Sequence, residues 1–145
     1  MIKNIIMLFC LYLNLNAIYI SDKTEESNFV VYDTTTSLMW QDNNNVMFSS
    51  YSWQDAINYC EDLNKKSFTN WRLPNINELE SIVDDTLYDP AMSNIFYNKL
   101  SEIYWSSTTV INDTTKAWST NFLSGEMKDL TPKSDEKRVR CVRDF

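Results

Sequence analysis

The chain has 145 residues, room for one domain rather than two. Its 20 acidic and 13 basic residues give a net charge of −7, a poor match to nucleic acid or polyanionic sugars, whose phosphates and sulfates need basic patches. It has no histidine, which removes histidine triads, imidazole metal sites and the commonest general base near neutral pH.

Residues 1–17, MIKNIIMLFCLYLNLNA, carry one early positive charge at Lys3, an apolar run from Ile5 to Leu13 and a small exit residue, Ala17. This is the layout of a secretory signal peptide, and the run is too short to span a bilayer. An uncleaved anchor or a buried N-terminal strand is the alternative. Cys10 follows the bulky Phe9 with little apolar sequence upstream, which argues against a lipoprotein signal. Residues 18–28 read as a polar, flexible connector, and 29–145 as the folded domain; no later segment is long and apolar enough for a membrane span.

FVVYD and LMWQ read as strands joined by the turn TTTS, and DNNNVMFSS as a loop. SYSWQDAINYCEDLNKK is the clearest helix. Ser52 caps it, Asp55 completes a capping box, and Trp53, Ala56, Ile57, Cys60 and Leu63 share one face. NWRLP is extended, because the residue before a proline avoids helical geometry. Asn75 then caps a second helix with Glu78 at the capping-box position, and Ile76, Leu79, Ile82 and Val83 face the core. Glu78 and Glu80 lie about 200° apart around that helix, so they do not form a carboxylate dyad.

LYDPAMSNIFYNKLSE is an irregular connector with a helical turn near PAMSNIF. IYWSSTT is a strand, and KAWSTNFLSGEM puts Trp118, Thr120 and Phe122 on one strand face before a tight turn at Ser124–Gly125. The basic run EKRVRCVR needs no ligand if it is a strand with Val139 and Cys141 on one face and Arg138, Arg140 and Val142 on the other. Strands, two helices and further strands make an α+β domain with an antiparallel sheet. Gly125 is the one glycine, which excludes a glycine-rich phosphate loop and leaves Asn, Asp and Ser to make other left-handed turns.

Beyond the leader only Cys60 and Cys141 remain. In an exported chain they are most simply a disulfide; two separate buried thiols are the alternative. No Cys-x-x-Cys spacing supports a redox role.

Taken in order, SLMWQ, WQDAINYCEDLN, NWRLPNINELESIVD, YWSSTT, AWSTNF and VRCVR resemble the Lcl C-terminal domain family, over roughly residues 30–143. That family, formerly a domain of unknown function, is named for the tail of a Legionella collagen-like adhesin. It usually has glycine where this chain has Ser37, and often glycine ahead of the Trp-Arg pair. The resemblance implies a C-type-lectin-like fold: two helices flanking a small twisted antiparallel sheet, close termini, and a disulfide from the first helix to the last strand. It also implies export, and an adhesion role that in the best understood member is directed at sulfated polysaccharides.

Trp53, Trp71 and Trp105 are expected in the core, and Trp118 either there or on an exposed platform. Trp71, Arg72, Pro74, Asn75, Glu78 and Trp105 are expected to be structural, with Arg72 bracing a carboxylate or loop carbonyls. Sugar-binding C-type lectins hold calcium with Glu-Pro-Asn and Trp-Asn-Asp runs. This chain has neither; its nearest analogue is WSTN, and the INDTT loop is explained by a turn. No metal and no cofactor are therefore expected. Asn112, Asp113, Trp118 and Asn121 are the candidate ligand contacts. The expected function is an exported, non-catalytic binding or adhesion module for an extracytoplasmic glycan or protein. An enzyme on the related formylglycine-generating fold, or a structural domain of a surface assembly, is the alternative.

Overall fold

The computed structural model describes residues 30–63 and 68–144. The expected signal peptide and the connector after it lie outside the described residues. The architecture is α+β, with three short helices and two sheets.

Strands β1 (Val30–Asp33) and β2 (Leu38–Gln41) form the expected antiparallel hairpin, with Val31 opposite Trp40. Its turn is held by Asp33, whose carboxylate accepts from the Thr35 and Thr36 amides at 2.9 and 3.3 Å, and by Ser37 at φ 58°. The asparagine-rich segment expected as a loop contains a single helical turn, α1 (Asn45–Phe48), anchored by the buried Val46. A two-residue strand, β3 (Ser50–Tyr51), leads into α2 (Trp53–Glu61).

Ser52 caps α2 as expected, accepting from the Asp55 amide at 3.4 Å. The Asp55 carboxylate takes the Ser52 hydroxyl at 2.6 Å, not the cap amide that a capping box uses. On α3 (Ile76–Glu80) both halves of the capping box form: Asn75 Oδ1 accepts from the Glu78 amide at 3.0 Å and Glu78 Oε2 from the Asn75 amide at 2.8 Å.

The connector after α3 is irregular, and around Asn94–Ile95 it makes a turn where a helical turn was expected. Pro90 interrupts amide hydrogen bonding there, while Met92 is tied to Val83 by an isolated bridge. Strands β4 (Ile103–Val110), β5 (Asp113–Asn121) and β6 (Glu126–Pro132) form a meander. Then β7 (Lys137–Arg138) runs parallel to β4 and antiparallel to β3. Strand β8 (Val142–Asp144) returns to pair with β2.

Two differences from the expected single antiparallel sheet follow from this last segment. The five-stranded sheet, β3-β7-β4-β5-β6, is mixed, and a separate three-stranded sheet, β1-β2-β8, carries both ends of the domain. The closing RVRCVR is not one strand: residues 139–141 cross from one sheet to the other. Alternation fails across that crossing, so Val139, Arg140, Cys141 and Val142 are all buried.

The large sheet is apolar on both faces. Adjacent strand residues point to opposite sides, so Trp105 enters one cluster with Ala56, Cys60 and Leu63 of the α2 segment. Tyr104 enters the other with Leu79 and Ile82 of the α3 segment. Trp40, Trp71 and Trp105 are essentially solvent-free, and truncating any of them to alanine is expected to cost roughly 3–5 kcal/mol. The Cys60–Cys141 disulfide joins α2 to the sheet crossing, with Cα atoms 5.5 Å apart and both cysteines buried.

Candidate functional site

The Trp-Arg-Leu-Pro segment is a junction between the small sheet and α3. Trp71, Leu73 and Pro74 are buried. Arg72 exchanges two backbone hydrogen bonds of 2.9 Å with Val142 of β8, and this fixes where its side chain emerges. Its guanidinium grips the Glu78 carboxylate with both nitrogens, at 2.7 and 2.8 Å, and Nη2 also donates to Asp144 at 3.0 Å. Glu78 thus holds the helix cap and the arginine together. The Glu78 hydrogen bond, followed by the Coulomb attraction of Glu78 and Asp144, raises the Arg72 pKa further despite partial burial. Trp105 braces the same architecture, donating from Nε1 to the Tyr51 carbonyl at 2.9 Å. Of that set, Arg72, Asn75 and Glu78 bond one another directly, and Arg72 does brace a carboxylate.

Beside this brace lies an open depression of about 390 Å³ lined by Thr36, Leu38, Asn75, Asn77, Glu78, Ser81 and Asp144. Its lining is hydroxyl, amide and carboxylate over one leucine. Asn77, Ser81 and Asp144 are exposed there, and Thr36 comes from the β1–β2 turn. Such groups hydrogen-bond a polar, uncharged ligand; the depression contains no cation to hold an anion.

The four residues expected as ligand contacts do not converge. Asn112 sits with the exposed Ile111 in the two-residue tip between β4 and β5. Asp113 begins β5, accepts from the Thr115 amide at 3.1 Å and from its hydroxyl, and pairs with Lys116 at 2.9 Å. The Thr115 hydroxyl first, then Lys116, lower its pKa to about 2. Asn121 closes the other end of β5, where its side chain accepts from the Leu123 amide at 3.1 Å and its carbonyl accepts from Gly125 at 2.8 Å. Eight residue steps of extended chain run from Asp113 to Asn121, on the order of 26 Å. Trp118 lies between them, half-buried. Asp113 and Asn121 serve turns and strand ends.

A buried polar network was not foreseen. Arg140, placed by alternation on the face opposite Cys141, is wholly buried and donates to Asp42 at 2.9 Å and to the Gln41 carbonyl at 2.7 Å, and to the Asn98 carbonyl. Asp42 in turn accepts from the Tyr97 and Asn98 amides at 2.7 and 3.1 Å. Gln41 donates to Asn43 and to Tyr59, each at 2.8 Å, and accepts from the Cys141 amide at 3.2 Å. The one sequence signal was Gln41-Asp42-Asn43, three consecutive polar residues directly after the apolar run Leu38–Trp40. Trp53, expected in the core, is only half-buried; its Nε1 donates to the Ser106 carbonyl at 2.8 Å and Lys133 covers its ring at 3.7 Å. Among the described residues, no group of three or more His, Cys, Asp or Glu is placed to hold a metal ion, and no helix is long and apolar enough to cross a membrane.

Residues 29–143 match the Lcl C-terminal domain. No curated protein matches the chain.

Proposed function

Because the chain belongs to the Lcl C-terminal domain family, we propose that it is an exported, non-catalytic binding or adhesion domain with a C-type-lectin-like fold. Three features support the lectin-like assignment. The first and last strands both pair with β2, so the ends of the domain lie together. Helices α2 and α3 pack on opposite faces of the large sheet. A disulfide ties the α2 helix to the closing segment. Export accords with that bond, since disulfides persist in oxidising compartments outside the cytoplasm.

The observation that carries the binding role is the open depression lined by Asn77, Glu78 and Ser81 of the capped α3 segment and by Asp144 of β8, beside a bidentate brace. A cysteine-based activity would need a free thiol, and Cys60 and Cys141 are bonded to each other. A sulfated ligand would need free cations in a cluster. Among the described residues, Arg72, Lys116, Lys128, Lys137, Arg138 and Arg140 are each within 4 Å of a carboxylate, while Lys99, Lys133 and Arg143 donate to Asn94, Thr109 and the Asp144 carbonyl. An uncharged glycan or a protein surface is the better partner.

Two measurements test this reading. Intact mass before and after reduction and alkylation should show a mass two hydrogens short that gains two alkyl groups only on reduction. Immobilised wild type should then capture a glycan or surface protein, with Asn77→Ala and Asp144→Ala weakening capture. Free thiols in the native protein, or capture of no ligand of any class, would overturn it.

A further inference from the structure

We infer that the depression beside α3 seats the ammonium of a lysine side chain presented by a partner protein. This rests on the depression being a binding surface and names its occupant.

Asp33, Leu38 and Asp144 are direct cross-strand partners in a row over β1, β2 and β8. Residues opposite one another project from the same face, so Leu38 stands between two carboxylate residues on the order of 10 Å apart. Glu78 brings a third carboxylate to the depression from α3. Among the described residues, Arg72 is the one cation within 4 Å of any of the three, and it is shared between Glu78 and Asp144. Arg143, next to Asp144 on β8, is on the other face, its guanidinium over the Phe68 ring at 5.0 Å. The carboxylates around Leu38 thus outnumber the positive charge that balances them.

The hydrogen-bonding capacity left in the lining has the same bias. The Thr36 hydroxyl donates to Asp33 Oδ2 at 2.7 Å, and the Ser81 hydroxyl donates to the Glu78 carbonyl at 2.6 Å. Both hydrogens are spent within the protein, and each oxygen keeps lone pairs. Asp144 gives Oδ1 to Arg72 and keeps Oδ2, on a side chain that is 80% exposed. The N–H donors that remain are the side-chain amides of Asn75 and Asn77. A surface rich in acceptors suits a ligand rich in donors, and an ammonium has three donors and no acceptor.

The rest of the lining selects lysine among cations. A guanidinium seeks both oxygens of one carboxylate, and those of Glu78 are already held by Arg72. Single oxygens from separate residues suit the compact charge of an ammonium. The lining holds no aromatic ring on which a sugar would stack, and Leu38 is its one apolar side chain. A lysine stem lies along such a surface while its head reaches polar groups. The net charge of −7 also draws a basic partner from a distance.

The test is an NMR titration of the isotope-labelled protein at low salt with three probes. They are the end-blocked peptide Gly-Gly-Lys-Gly-Gly, its Nε-acetyl form and a glucosamine trimer. The lysine peptide should shift the backbone resonances of Asn77 and Asp144, and Asp144→Asn should weaken it about two- to fivefold. Asparagine still accepts from Arg72, so that variant keeps the brace, and the acetylated peptide tests the same charge on unaltered protein. Acetylation should abolish binding. Glu136→Gln, which removes an exposed carboxylate from the turn between β6 and β7, should leave it unchanged. Equal losses in the two variants would reveal general attraction to an acidic chain and overturn the site. Equal binding of the acetylated peptide would overturn the ammonium and leave the depression a binding surface. Tighter binding of the glucosamine trimer would overturn the protein partner. Silence at Asn77 and Asp144 with every probe would overturn this inference, whereas the binding role itself falls only if capture of glycans and surface proteins fails as well.

Discussion

The Arg140 guanidinium meets the Asp42 carboxylate at 2.9 Å with Arg140 wholly buried and the Asp42 side chain 4% exposed. Arg140 also lies over the Phe96 ring at 4.4 Å, so aromatic carbon covers what the hydrogen bonds leave open. Removing either partner leaves a buried charge uncompensated. Arg140→Met and Asp42→Asn are each expected to lower the unfolding free energy by roughly 3–5 kcal/mol, with the double variant well short of the sum. Chemical denaturation of all four proteins completes the cycle; additive losses would mean that the pair is not coupled.

That pair marks the limit of what the sequence reveals. Helix α2 with its Ser52 cap, the Asn75–Glu78 capping box, the β1–β2 hairpin and the Ser124–Gly125 turn were legible because each is encoded within a few residues. Arg140 was misplaced because local alternation assumes one continuous strand, and the crossing between sheets at 139–141 is a tertiary event. The split into two sheets escaped for the same reason. Asn112, Asp113 and Asn121 were singled out as loop polar residues and Trp118 as an aromatic platform, with no signal for how they sit in space. A nine-residue β5 holds its ends far apart. The depression beside α3 joins Thr36, Asn77 and Asp144 from three parts of the chain, and no periodicity announces that.

Arg72 serves Glu78 and Asp144 at once, and only a planar fork reaches both oxygens of Glu78. The Arg72 side chain is 38% exposed, so water screens part of the attraction. Arg72→Lys is expected to cost about 0.5–1 kcal/mol, or about 2–4 °C in Tm. Glu78→Ala also removes the carboxylate half of the capping box and should cost more, about 1–2 kcal/mol. Thermal melts rank the two. An unchanged Tm for Arg72→Lys would show that the second arm of the fork contributes nothing.

Stability should fall at both extremes of pH, through different groups. Burial raises the pKa of Tyr59 and of Tyr104. A phenol raised on folding supports the native state fully below its unfolded pKa near 10, and that support is lost as pH rises through the folded value. Asp113 is the opposite case, lowered from 3.8 to about 2, so its contribution is present above pH 4 and is lost as pH falls toward 2. Denaturation midpoints against pH should therefore decline above pH 10 and again below pH 4. Asp113→Asn should flatten part of the acid limb and leave the alkaline limb alone. An alkaline limb that stays level to pH 12 would contradict the burial of both tyrosines.

The left-handed turns allow the sharpest backbone test. Ser37, Asn70 and Asp89 have φ of 58°, 63° and 54°, the residue types expected to stand in where glycine is scarce. Ser37 and Asn70 also stand where the family resemblance placed glycine. Serine tolerates this region less well than asparagine, so Ser37→Gly should stabilise the domain by about 0.5–1 kcal/mol and Asn70→Gly by little. Gly125 is the converse. Its φ is +79°, and a Cβ there would lie 2.7 Å from the Val83 Cγ1 atom, in a turn packed against α3's exit. Gly125→Ala should cost about 1–3 kcal/mol from the combined strain and overlap. Urea unfolding of the three variants at one pH gives the comparison. The account of these turns fails if Gly125→Ala is neutral, or if Ser37→Gly destabilises.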